Sequence, residues 1–260
     1  MLQIFKFLNV ERNVPVPSVG EPTDEKLVQD YVSQFYQKRY TGTGHLYHSR
    51  IVTEMLSGIK FRDGRYSDKV LDVGCGIGFV SSLYPNFDIT GIDVSDGMLE
   101  KNPYIWKKAS AEAIPFPDNT FDFVICRSLL HHLEKPELGM KEMVRVLKPG
   151  GKWACWETNF SFLNNLVRKL AKRTKRFSHW HKNFHSNELI QIVKDSGLTI
   201  DKVRYYGYLA YPLAGFPDLI DLRLPIGAGR FLWAVDEVIA KSPLKKFGWA
   251  ILIKGVKPNV

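Results

Sequence analysis

Apolar residues recur along this chain in two rhythms. From about residue 23 to 66 they fall at helical spacing, with Leu27, Tyr31 and Phe35 on one stripe and Val28 and Val32 beside it. Thr23 caps this helix, and Asp24 and Glu25 in its first turn suit the helix dipole. Thr41-Gly42-Thr43-Gly44 reads as a break, and a second helix is expected from about Leu46 to Ile59, with Ile51, Met55 and Ile59 along one side. From Lys69 to Trp156 short apolar runs alternate with helix-like segments, which predicts a parallel sheet with helices between its strands. Pro136 and Glu137 open one of those helices, and Lys148-Pro149-Gly150 ends it. A helix carrying Leu189, Ile192 and Val193 follows, then a strand from Thr199 to Tyr206 and an aromatic, proline-broken stretch from Tyr208 to Trp233. The run Trp249 to Val256 is apolar and reads as a closing strand.

The first strand signal, Val70-Leu71-Asp72-Val73, runs into Gly74-Cys75-Gly76-Ile77-Gly78. Three glycines at alternate positions predict a sharp strand-to-helix turn, where the backbone can approach a ligand and the helix start offers free N–H groups. A second strand, Phe87 to Ile92, ends at Asp93, 19 residues after Gly74. An acid at that distance is placed to accept from both hydroxyls of a ribose. The dinucleotide fingerprint G-x-G-x-x-G would need a small residue at position 79, which is Phe79.

The turn with its preceding Asp72 resembles motif I of the class I S-adenosylmethionine (SAM)-dependent methyltransferases. Ala109-Ser110-Ala111-Glu112-Ala113-Ile114-Pro115-Phe116-Pro117 is similar to the adenine-side segment of that family, and Phe121 to Cys126 to its fourth strand. Leu130-His131-His132-Leu133 and the run from Met143 to Gly151 resemble the helix and turn that lead into its fifth strand. Order and spacing are similar to the group containing the ubiquinone and menaquinone C-methyltransferases, over about residues 68 to 157. The resemblance implies a Rossmann-like, seven-stranded α/β sheet, mostly parallel with an antiparallel last strand. It implies SAM as cofactor and S-adenosylhomocysteine as product. It also implies a cofactor site made of Asp72, Gly74, Cys75, Gly76, Gly78, Asp93, Val94, Met98, Ala111, Glu112, Cys126 and Arg127. Within it the glycines line the cofactor, Asp93 bonds the ribose, and Asp72 lies near the methionyl amino group. The expected organisation is one domain over 1–260. It divides into an arm at 1–22, a helical cap at 23–66, the cofactor core at 67–157, a basic segment at 158–187 and the last strands at 188–260.

Composition narrows the chemistry. Cys75, Cys126 and Cys155 form no C-x-x-C pair and fall in or beside predicted core strands. That disfavours a disulfide scaffold, a zinc site, an iron–sulfur cluster and radical chemistry, and points to a reducing, cytoplasmic compartment. No run approaches the roughly 20 apolar residues of a membrane span, and the apolar start, Met1 to Leu8, is broken by Lys6. His179, His181 and His185 have a metal-like spacing without a cysteine or acid to complete a set, so no metal is expected.

Charge is local. Between Thr158 and Asn187 there are seven cations and no acid, in a chain of net charge +9. Phe162, Leu163, Leu166, Val167, Leu170 and Ala171 share one half of a helical wheel, and the six cations from Arg168 to Arg176 share the other. Three readings fit this segment: a helix docked by its apolar face, a contact with an anionic membrane surface, and recognition of phosphate or nucleic acid.

Methyl transfer from SAM needs alignment and exclusion of water, and a weak nucleophile also needs a base. His131 and His132, just beyond the fourth strand, are the candidate bases; packing at the loop-to-helix junction is the alternative for either. The aromatic set Tyr205, Tyr206, Tyr208, Tyr211, Phe216, Phe231 and Trp233 suggests a small lipophilic or aromatic acceptor, or simply completes the core. Three function classes follow: a small-molecule methyltransferase, an RNA or protein methyltransferase resting on the basic segment, and a non-catalytic SAM-binding module.

Overall fold

Alternate residues of each central strand enter two separate cores, and this builds the layers. The computed structural model describes residues 40–62, 65–160, 184–211, 213 and 224–259. The arm, the helix expected before Tyr40 and the basic stretch 161–183 lie outside the described residues. Helix α1 (Gly42–Met55) precedes a two-stranded hairpin, β1 (Phe61–Arg62) and β2 (Arg65–Tyr66). Then come β3 (Lys69–Val73), α2 (Phe79–Leu83), β4 (Asp88–Asp93), α3 (Asp96–Leu99), β5 (Trp106–Lys108) and β6 (Phe121–Arg127). Helix α4 (Pro136–Val146), β7 (Leu147–Thr158), α5 (Ser186–Asp195), β8 (Thr199–Tyr206), α6 (Ile226–Ala240) and β9 (Ala250–Val256) complete the order.

Seven strands form one sheet in the order β5-β4-β3-β6-β7-β9-β8. Neighbours from β5 to β7 pair in parallel, and β9 runs antiparallel between β7 and β8. This is the expected Rossmann-like sheet. Val70, Phe123, Ile125, Ala154 and Trp156 face α1 and α2, while Leu71, Val124, Cys126, Trp153 and Cys155 face α4 and α5. The period of two in each strand sorts them. Each fully buried Leu, Ile or Phe contributes about 1.5–3 kcal/mol, so the two cores hold the strand ends of the site in fixed register.

The elements differ from expectation in three places. Helix α1 starts at Gly42, so the Thr41–Gly44 stretch expected to break a helix forms its first turn. A methyl on Gly229 of α6 would sit 2.8 Å from the Thr43 side chain, so the small residues there let two helices approach closely. The helix ends at Met55, short of Ile59, before Gly58 with φ +96°. Strand β7 starts at Leu147, because Lys257 exchanges N–H···O bonds with Gly150 and Gly151 at 2.8 and 3.0 Å and draws the expected turn into the sheet. Finally, Ile226–Ala240 is a regular helix where an irregular aromatic stretch was expected.

Candidate functional site

The turn between β3 and α2 is held by backbone bonds. The N–H groups of Gly74 and Cys75 both donate to the Ile92 carbonyl, at 2.8 and 3.0 Å, and tie the turn to the end of β4. Buried Asn102 donates from Nδ2 to the Gly76 carbonyl at 3.0 Å. Gly78 has φ +79°, and a methyl there would lie 2.4 Å from Asn102 Oδ1, so its side chain is excluded both by backbone conformation and by space. Gly76 differs: a methyl on it would meet only the Met98 sulfur, at 3.9 Å. The open side of the turn is therefore at Gly76.

Two acids sit beside that opening. Asp93, half-buried at the end of β4, accepts from Gly76 N–H through Oδ2 at 2.8 Å and from Ser95 N–H through Oδ1 at 3.0 Å. Burial pushes its carboxyl above the usual range, against the pull of the Ser95 and Gly76 N–H groups and of nearby His132. A carboxylate has about four acceptor positions, so the Ser95, Gly76 and Val94 N–H groups leave capacity for a further donor. Asp72, near the end of β3, is buried, which pushes its carboxyl up to about 7; Arg127 opposes the shift and Asp93 adds to it.

Arg127 ends β6 and faces side chains from other elements. Its Nη2 donates to the Tyr40 hydroxyl at 2.7 Å and its Nη1 lies 3.4 Å from His48 Nδ1. The guanidinium sits 5.3 and 5.1 Å from the ring centroids of Tyr40 and Phe79, which stack on each other at 3.9 Å. Edge contacts to Tyr47, Phe79, Trp156 and Tyr211 enclose the buried His48 ring.

The loop after β6 carries the histidine pair. Ser128 has φ +52°, a left-handed conformation that is unfavourable for a side chain, and its N–H donates to the Trp156 carbonyl at 2.8 Å. Glu157, fully buried near the end of β7, clamps this loop. Its Oε1 accepts from the N–H groups of Leu129 and Leu130 at 2.6 and 2.7 Å, and its Oε2 lies 2.5 Å from His131 Nδ1. Burial alone would raise the Glu157 carboxyl, but His131 and the Leu130 N–H hold it below the usual range. His131, only 3% exposed, is turned into this clamp and presents no face to solvent, whereas His132 is half-buried with its ring 4.0 Å from that of His131. His132 is near enough to Asp93 and Glu157 to pull both carboxyls downward, although burial still leaves Asp93 raised.

The remaining candidates are divided. Val94 is half-buried at the end of β4, and Met98 and Ala111 are buried. Cys75 is buried at the turn, and burial pushes its thiol far up. Glu112 turns its carboxylate to the Lys135 N–H at 2.6 Å, at the start of α4. Cys126 contributes no side-chain surface to the site: it is fully buried in the core, its free thiol beside the free thiol of Cys155. Of the aromatic set, Tyr205 and Tyr208 enter one core and Tyr206 and Tyr211 the other, Phe231 is exposed, and Phe216 lies outside the described residues. Sequence reasoning missed Tyr40, His48, Phe79, Asn102 and Glu157. Only Glu157 carried a local signal, an acid closing the apolar run Trp153-Ala154-Cys155-Trp156. Among the described residues no group of three His, Cys, Asp or Glu could hold a metal ion, and no helix is long and apolar enough to cross a membrane. His185 packs against Phe160, and His179 and His181 lie outside the described residues.

Comparison with known proteins bears on this arrangement. Residues 71–155 match the family model described as a methyltransferase domain. An uncharacterised methyltransferase of Schizosaccharomyces pombe is 28% identical over 161 residues, which are 54% of this chain and 55% of that protein. A demethylmenaquinone methyltransferase of Symbiobacterium thermophilum is 32% identical over 180 residues, 63% of this chain and 67% of that protein. Among solved structures, an S-adenosylmethionine-dependent methyltransferase of Thermotoga maritima superposes with a TM-score of 0.62 at 18% identity, covering 89% of this chain and 99% of that one.

Proposed function

This chain belongs to the class I SAM-dependent methyltransferases, and we propose that it transfers a methyl group from SAM to a small, lipophilic aromatic acceptor of the quinol class. The observation that carries the reading is the pairing of open space at Gly76 with the Asp93 carboxylate bonded to the same residue's N–H. The residues fit the cofactor. Asp93 has acceptor capacity left for a ribose, Asp72 lies close enough to influence it and can meet an ammonium group, and the glycine turn admits a close approach of ligand to backbone. Val94, Met98, Ala111 and the chain at Glu112 would form the adenine side, and the backbone at Arg127 the methionine side.

Bound SAM supplies a methyl group on a sulfonium centre, already activated for in-line displacement. The chain then has three tasks: to align the acceptor, exclude water and take up its proton. Tyr40, His48, Phe79 and Arg127 form a part-buried wall at the strand ends, where an aromatic ring is recognised by stacking and its oxygen by the guanidinium. His132 receives the acceptor proton. His131 is a positioning residue, fixed by Glu157 and with its ring tilted against that of His132. The similarity to a demethylmenaquinone methyltransferase supports the acceptor class.

Incubation with methyl-labelled SAM and fractionated cell extract tests this. Label is expected in the organic-soluble fraction and in an added demethylated quinol. Label in RNA or protein would overturn the acceptor class, and SAM binding with no label transferred anywhere would overturn catalysis. Replacing His132 with Ala is expected to lower turnover by about 10²–10⁴-fold with SAM affinity unchanged.

A further inference from the structure

Helix α6 has two apolar faces, and among the described residues only one of them is packed. Gly229, Leu232, Trp233 and Asp236 point inward. Gly229 sits against Thr43, the rings of Trp233 and Tyr47 are 5.2 Å apart, and Asp236 accepts the N–H groups of Tyr208, Leu209 and Ala210. The opposite stripe, at spacings of three and four, carries Arg230, Phe231, Ala234, Val238 and Lys241, and all five are exposed. Phe231 is 67% and Val238 71% exposed. The turn after the helix adds Leu244 at 57% and Phe247 at 50%. A helix apolar all round is normally buried on every side.

The turn is a built feature. Ser242 Oγ accepts from Leu244 N–H at 3.1 Å, Tyr208 Oη donates to the Lys245 carbonyl at 2.7 Å, and Asn159 Nδ2 donates to the carbonyls of Lys246 and Gly248 at 3.1 and 2.9 Å. The exposure of Leu244 and Phe247 is therefore fixed by bonds from residues just past β7 and β8. The charges on this surface have one sign. Arg230, Lys241, Lys245 and Lys246 are exposed, while the two acids of the same stretch face away: Asp236 is buried and Glu237 is paired with Arg204.

We propose that the outer face of α6 and the Pro243–Phe247 turn form a docking surface for an anionic lipid bilayer. Apolar side chains flanked by cations, with no acid turned outward, match an interface where acyl chains lie beneath negative headgroups. The inference goes beyond the acceptor assignment and does not depend on it.

Cosedimentation of the full chain with phosphatidylcholine vesicles, with and without phosphatidylglycerol, tests it. The chain is expected to pellet with the anionic vesicles and to be released by salt. Phe231→Asp combined with Val238→Asp should lower the bound-to-free ratio by about tenfold or more, because both side chains would otherwise enter the interface. Lys241→Glu with Lys245→Glu and Lys246→Glu should lower it similarly. All five positions are exposed, so SAM binding by calorimetry should be unchanged in both variants and serves as the folding control. Wild type left in the supernatant with anionic vesicles, or variants that pellet as wild type does, would overturn the assignment. A dimer in sedimentation velocity that the Phe231→Asp, Val238→Asp variant dissociates, without vesicle binding by wild type, would assign the face to a second copy of the chain instead.

Discussion

The two sides of the cleft are made in different ways. On the cofactor side, consecutive backbone groups do the work. The turn from Gly74 to Gly78 is tied to Ile92 and Asp93 of the adjacent strand by N–H groups of its own residues, and its other bonds are to Asn102, within the turn and to the start of α2. On the side proposed for the acceptor, the site is enclosed by side chains from distant places. Arg127 reaches Tyr40 across 87 residues and His48 across 79, and Glu157 reaches His131 across 26. A backbone-built surface tolerates side-chain change as long as its glycines and one acid remain. A surface built from converging side chains holds only if each element is docked, so one buried group lost there loosens several contacts.

The largest expected effect lies on the converged side. Glu157→Ala leaves His131 and two buried N–H groups without an acceptor, and should cost about 3–5 kcal/mol of stability in urea unfolding. Glu157→Gln keeps an acceptor for Leu129 and Leu130 and should recover part of that loss. A cost under about 1 kcal/mol for Ala would mean that packing, and not the carboxylate, holds the histidine loop.

Next comes the buried acid between the two sides. With its carboxyl raised to about 7 by burial, folded Asp72 binds a proton that the unfolded chain releases near its ordinary value of 3.8. The folded state therefore holds more protons in that window, and stability of the cofactor-free protein should fall as pH rises from about 4 to 7, by up to about 4 kcal/mol from this group. Asp72→Asn should flatten that part of the profile. SAM affinity should rise with pH through about 7 in wild type and not in the variant, since the ionised carboxylate is the form that attracts an ammonium group. A wild-type and Asp72→Asn pair with parallel pH profiles would remove Asp72 from the cofactor side.

Asp93→Ala removes the acceptor of the Gly76 and Ser95 N–H groups and the one proposed for the ribose hydroxyls. Hydrogen bonds to a charged group are worth about 1.5–3 kcal/mol, so SAM should bind at least about tenfold more weakly by calorimetry. Unchanged affinity would refute the assignment of Asp93. The smallest effect separates the sides most sharply. Tyr40→Phe deletes one hydroxyl from Arg127, a loss of about 0.5–1.5 kcal/mol. It should lower kcat/KM for the acceptor severalfold and leave SAM affinity as it was. An equal loss in SAM affinity would show that Tyr40 and Arg127 serve the cofactor side.

The alternation of strand and helix that makes a parallel sheet, the glycine turn and the place of Asp93 were legible because each rests on short-range pattern, whereas the seven-stranded topology was implied only by the family resemblance. Apolar residues at period two sort into two cores, and glycines in an apolar run mark the turn whatever surrounds it. The division between His131 and His132 was not legible. Adjacent histidines look alike in a sequence, and only Glu157, brought alongside by the β6–β7 pairing, draws one inward and leaves the other half-exposed. Cys126 was read as part of the cleft, but the alternation of β6 turns its side chain into the core. Helix α6 was missed for a related reason: Ile226-Gly227-Ala228-Gly229 is a poor helix former, and packing on α1 overrides that weak preference. The sequence by itself determined the sheet, the turn and the acid beneath it, because these depend on local periodicity and backbone freedom. Tertiary structure alone decided which side chains of α1, β6 and β7 meet, and which face of α6 stays uncovered, because contacts across 26 to 87 residues follow from docking and have no spacing to betray them.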